Sequence, residues 1–228
     1  MSHYAVAVFS DSPHGFDELL EPYAEDSHFT RHVVDEAELQ ERYARFLEQN
    51  PSWAELGFDG WLEDSGYERE GDEIVAYYND DSKWDWYTLG GRDYMFDPKP
   101  GEEPDENGHY RKNQIDFAQT DPEEAAAALK FWQDYVVDGK EPEGFVMYKR
   151  EYYLSRYKTA EQYAKEMTGT RPYAFVTPDG VWHSPGTVGW FALDDSTDDS
   201  MNRYIEEWNA YIGDLSVNPY VSMVDCHI

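Results

Sequence analysis

His3-Tyr4-Ala5-Val6-Ala7-Val8-Phe9, followed by Ser10-Asp11-Ser12-Pro13, is the stretch from which the fold is read. The run holds no Asp, Glu, Lys or Arg and is rich in branched and aromatic side chains. It is too short for a buried helix and it ends on turn-forming residues. It predicts a strand buried on both faces. Such a strand needs covering elements, and the rest of the chain supplies helices. Asp35 is placed to cap a helix over 35–49, where Leu39, Tyr43, Phe46 and Leu47 form an apolar stripe and Glu41 and Arg45 pair outside it. Shorter helical pieces are predicted over 16–23, broken by Pro22, and after Pro51, anchored by Trp53, Leu56 and Trp61. Asp121-Pro122-Glu123-Glu124 opens another, with Ala125, Ala128, Leu129, Trp132 and Val136 buried and Gly139 as its stop. Helices over 159–167 and 199–212 complete the set, the last with Met201, Tyr204, Ile205, Trp208 and Ile212 on one side.

Strands are predicted over 73–79 and 83–89, joined as a hairpin by Asn79-Asp80-Asp81-Ser82. Others are predicted over 145–153, over 173–177 and 181–183 around Pro178-Asp179-Gly180, over 189–193, and over 219–228. Helices and strands mix without regular βαβ spacing. The expected class is therefore α+β: a single domain over 1–228, a largely antiparallel sheet with packed helices and insertions. The stretch 93–113, rich in Pro, Gly and acids, reads as a mobile loop.

Composition bounds the function. With 48 acidic against 18 basic side chains the formal charge is −30. Long-range repulsion of phosphate argues against general nucleic-acid binding. The 8 Trp, 19 Tyr and 11 Phe supply ample apolar surface for a core. A single cysteine, Cys226, leaves no internal disulfide and fits a reducing compartment. The first residues carry no basic leader or cleavage site, and no apolar run approaches the ~20 residues of a membrane span. A soluble intracellular protein is the expectation.

Four patches carry candidate chemistry. In a strand over 83–89, Lys83, Asp85 and Tyr87 share one face and Trp84 and Trp86 the other. Gly90-Gly91 then permits a tight turn, and Arg92 offers an anion fork. In the terminal strand Asp225 and His227 share a face, suited to proton transfer or to ligating a metal, while Cys226 falls on the core side. Arg111-Lys112 is a rare basic spot that, with Lys83 and Arg92, would make a positive pocket for one small anion. Trp190 stands beside glycines, where an indole can wall a base. The expected site is thus Lys83, Arg92, Arg111 and Lys112 on phosphate, Tyr87 or Trp190 against a base, and Asp85, Asp225 and His227 as catalytic acid/base or metal-binding groups. No zinc spacing, phosphate-binding glycine loop or dinucleotide fingerprint occurs, so no cofactor is indicated.

These patches together resemble a family of small proteins encoded by bacteriophages and prophages. The likeness is carried by Tyr4–Phe9 with Leu19-Leu20-Glu21-Pro22-Tyr23, by Ser82-Lys83-Trp84-Asp85-Trp86-Tyr87 with Gly90-Gly91-Arg92, by Arg111-Lys112 with Ile115-Asp116, and by Val224-Asp225-Cys226-His227-Ile228. The family pattern has Trp after Gly-Gly-Arg, where this chain has Asp93. The resemblance implies a phage origin and a role in the host cytoplasm; it implies no particular reaction. The expected function is a phage accessory protein with a pocket for a small anionic, nucleotide-like ligand, which it binds or hydrolyses in counter-defence. The alternative is an acidic, non-catalytic inhibitor that imitates DNA and engages a host DNA-binding or defence protein.

Overall fold

A computed structural model describes residues 3–90, 96–117, 122–142, 144, 146, 148–168, 171–188 and 194–228. The chain runs β1 (His3–Ser10), α1 (Phe16–Leu20), β2 (Thr30–Val34), α2 (Glu36–Gln49), α3 (Gly57–Asp64), β3 (Tyr67–Glu70), β4 (Glu73–Tyr78) and β5 (Trp86–Leu89). It continues with α4 (Pro122–Phe131), α5 (Arg150–Arg156), α6 (Ala160–Thr168), β6 (Ala174–Val176), β7 (Trp182–His183), α7 (Asp198–Gly213) and β8 (Tyr220–His227). The class is α+β, with mostly antiparallel sheets and packed helices. The residues fall into two compact units, Leu20–Trp86 and the rest, Met1–Leu19 with Tyr87–Ile228.

In the larger unit β1 lies in the middle of a five-stranded sheet of order β5-β8-β1-β6-β7. It runs antiparallel to β8, from His3 opposite His227 to Ser10 opposite Tyr220. On its other side it runs parallel to β6, Val6 opposite Ala174 and Val8 opposite Val176. Tyr4 to Ser10 are all buried, as a run with no polar alternation demands. Ala5, Ala7 and Phe9 project to one face and pack with Phe175, Met223, Tyr204 and Trp208, the last two from α7. Tyr204 buries its phenol by donating to the Pro172 carbonyl at 2.6 Å. Thr197 caps α7 reciprocally with Ser200.

The helix from Pro122 does not stop at Phe131. It widens into a π-helical turn over Trp132–Val137, where Gly139 with φ 67° ends it. Arg150 satisfies the freed Val136 and Val137 carbonyls. Trp132 and Val136 share a core with Tyr153, Tyr157 and Tyr163 from α5 and α6. The smaller unit is a three-stranded antiparallel sheet, order β2-β4-β3, with Ile74 packed on Leu39, Trp61 and Leu62. Asp35 caps α2 through the Ala37 and Glu38 amides.

Two expectations are corrected, and two strands stand where none was expected. The segment after Asn79 does not return as a hairpin on β4. Both edges of β4 are taken by β2 and β3, and the Lys83 amide bonds the Tyr23 carbonyl instead. β2 and β3 were masked by their charges: Tyr67-Glu68-Arg69-Glu70 has no apolar stripe and is tied in by Arg31 bridging Glu70 and Glu73. Residues 150–153 are helical, because the aromatic core recruits Tyr153 against its strand propensity. The strand expected over 189–193 and the capping Asp121 lie outside the described residues, while 96–113 are tied back by bonds such as Lys99 amide to Gln114 carbonyl.

Burial raises the Tyr163 phenol to about 12. Its proton is held more tightly folded than unfolded, so that stabilisation is full below the ordinary phenol pKa of ~10 and is lost as pH rises through the shifted value. Urea midpoints are expected to fall steadily above pH ~10, and Tyr163→Phe to flatten that fall. Midpoints with the same alkaline slope in both proteins would contradict this.

Candidate functional site

A cavity of about 750 Å³ opens in the larger unit. Its floor is apolar: Ile115 and Phe117 from the loop before α4, Trp208 and Ile212 from α7, and Leu129 from α4. Trp208 is only 4 % exposed, so its indole is fixed by the core. Around this floor, among the described residues, stand Lys99, Lys112, Lys165 and Arg171, with Asp116 and Glu161 as the acids. Four of 18 cations meet two of 48 acids here, which inverts the balance of the chain. Among the described residues neither Lys165 nor Arg171 has an ion-pair partner, whereas Arg31, Arg69, Lys130, Lys140 and Arg156 do.

Lys112 is 3 % exposed. Its ammonium donates to the carbonyls of Tyr211 and Asp214, at 2.8 and 2.6 Å, at the end of α7. Burial pulls its pKa down and the Asp214 charge opposes that shift. The cation satisfies carbonyls that a helix end leaves open and meets the negative end of its dipole. Arg111, the preceding residue, goes elsewhere. Its guanidinium lies 4.0 Å over the Tyr220 ring, donates to the Asn218 carbonyl, and lines a second cavity of about 620 Å³.

At one strand end His3, a residue that the sequence did not offer, touches both Asp225 and His227. The register sets His3 opposite His227, and His3 Nδ1 lies 3.2 Å from Asp225 Oδ2. The two imidazoles meet edge to face at 4.9 Å. His3 and Asp225 line a third cavity of about 490 Å³ with Tyr173, Tyr204 and Arg171, so Arg171 borders this cavity and the cationic one. Among the described residues the buried Tyr173 hydroxyl has no hydrogen-bond partner, and burial raises its pKa. Cys226, on the opposite face, is fully buried and its thiol is pushed up by burial, as suits a core residue.

The remaining expected residues are placed as follows. Lys83 and Asp85 belong to the smaller unit, where Asp85 accepts from the Trp86 amide; their alternation with Tyr87 does not form because β5 begins only at Trp86. Trp86 is 42 % exposed, not a buried anchor. Tyr87 donates to Asp17, and burial with that carboxylate raises its pKa. Arg92 and Trp190 lie outside the described residues. Among the described residues no group of three or more His, Cys, Asp or Glu could hold a metal ion, and no helix is long and apolar enough to cross a membrane. Reading by residue type missed Lys99, Lys165, Arg171 and His3. Lys165 and Arg171 flank the end of a predicted helix, a signal that was legible; His3 opposite His227 depends on a pairing no local pattern shows.

Comparison of the chain with protein-family models, with curated proteins and with solved structures gives no match.

Lys112→Ala would leave the end of α7 without its cation. A loss of about 2–3 kcal/mol in urea denaturation is expected, the scale of hydrogen bonds from a charged donor. A change below ~0.5 kcal/mol, typical of a surface lysine, would contradict this role.

Proposed function

We propose that this chain is a phage accessory protein that holds a small anionic, nucleotide-like ligand in the 750 Å³ cavity. The observation that supports this is the inverted charge: among the described residues, four cations gathered around an apolar floor in a chain of net charge −30. Cations beside a low-dielectric wall attract phosphate more strongly than the same cations in open water. The surrounding acids repel polymers with extended phosphate rows, which favours a ligand small enough to enter alone. Lys99, Lys165 and Arg171 take the phosphate; Phe117 and Ile212 receive the base. Lys112 adds charge from below while its protons stay on the α7 carbonyls. The phage setting, and removal of a host signalling nucleotide in the cytoplasm of the infected cell, rest on the family resemblance. Hydrolysis, if it accompanies binding, would use the His3–Asp225 pair beyond Arg171.

Calorimetric titration of the full chain with ADP and UDP is expected to show saturable binding that weakens as salt rises from ~50 to ~500 mM. Lys165→Ala with Arg171→Ala is expected to weaken it by at least ~10-fold, equivalent to ~1.4 kcal/mol. Nucleotide recovered unchanged means holding; conversion that is lost in Asp225→Asn means cleavage. Binding indifferent to both salt and the double substitution would contradict the proposal.

A further inference from the structure

The 620 Å³ cavity opens at the carboxyl ends of β1 and β6, between Asp11, just past one strand, and Thr177, just past the other. These two strands are parallel neighbours, and crevices at such strand ends are where α/β sheets take ligands. Its charged groups are Arg111 against Asp11 and Asp179, so it repels a second anion. The Asp179 carboxyl is held below its usual range, first by the Thr177 hydroxyl, and it stays an acceptor. His183 is fixed twice: Nδ1 is 3.0 Å from Glu207 Oε2, and its ring stacks on Phe175 at 4.4 Å. A proton on Nδ1 toward Glu207 makes Nε2 the acceptor. Arg111 supplies donors, and the buried Tyr211 hydroxyl has no hydrogen-bond partner among the described residues. An amine would satisfy the carboxylates and clash with Arg111. A carboxylate or phosphate would do the reverse. Hydroxyls, which donate and accept, satisfy both. Pro178, Val181 and Pro219 offer apolar surface to the C–H face of a ring. Val217 and Asn218 line this cavity and the cationic one alike, so the two adjoin.

We propose that the strand-end cavity binds an uncharged sugar carried on the phosphate of the nucleotide held next door, so that the ligand belongs to the sugar-nucleotide class. This rests on the reading of the cationic cavity given above. Asp11 and Asp179 accept from the sugar hydroxyls, Arg111 donates to them, and His183 Nε2 fixes one hydroxyl. The boundary at Val217 and Asn218 is where the diphosphate passes.

The test is titration of the full chain with ADP-ribose and UDP-glucose, each against its parent ADP or UDP. At least one sugar nucleotide is expected to bind ~10-fold or more tighter than its parent, the scale of a site built for hydroxyls. Asp179→Asn with His183→Ala is expected to erase that advantage and leave the affinity for the parent diphosphate unchanged, which also reports an intact fold. Equal affinity of both sugar nucleotides and their parents overturns this proposal and leaves the anionic reading standing. So does an advantage that survives the double substitution. Absence of binding by all four compounds overturns the anionic reading and this one with it.

Discussion

The pairing of the first strand with the last governs the larger unit. Eight residues of β1 lie against eight of β8, and neither strand has an alternative partner of equal length. That register places His3, Asp225 and His227 at one end. At the other end the Lys112 amide bonds the Pro219 carbonyl and the Val221 amide bonds the Tyr110 carbonyl, which pins the Arg111-Lys112 dipeptide to the start of β8. From there the two side chains diverge into adjoining cavities. A one-residue slip would turn every buried side chain of β1 to the opposite face, and would take the site with it.

The second constraint is charge. A chain of net charge −30 tends to recruit its few cations into surface pairs, and much of this one does: Arg31, Arg69, Lys130 and Lys140 each bridge to carboxylates. Gathering four others at one apolar hollow goes against that tendency. One of them, Lys112, is hydrogen-bonded by helix carbonyls, with the Asp214 charge close enough to act on it.

Legibility in the sequence followed the strength of local signals. β1, α2, α7 and β8 were readable because each has an unambiguous period or cap: a continuous apolar run, Asp35, the Trp208 stripe, and the terminal alternation. β2 and β3 were not, because Arg31, Arg69 and Glu70 hold them by ion pairs and no apolar alternation marks them. The α5 residue Tyr153 favours strand locally and becomes helical through contact with Tyr163 and Phe131. For the candidate site, Arg111, Lys112 and His227 stand out as less common residue types in a strongly acidic chain, and Asp225 by its alternation with His227. His183 and His3 come from strands whose place is set by sheet order, which residue type does not encode.

The most direct measurement of the central claim is an amide chemical-shift titration of the isotopically labelled full chain with ADP. The account predicts saturable shifts concentrated in 113–117, 164–168 and 208–213, which surround the cationic cavity. Saturable shifts confined to the β2–β4 sheet, or none at millimolar nucleotide, would contradict it.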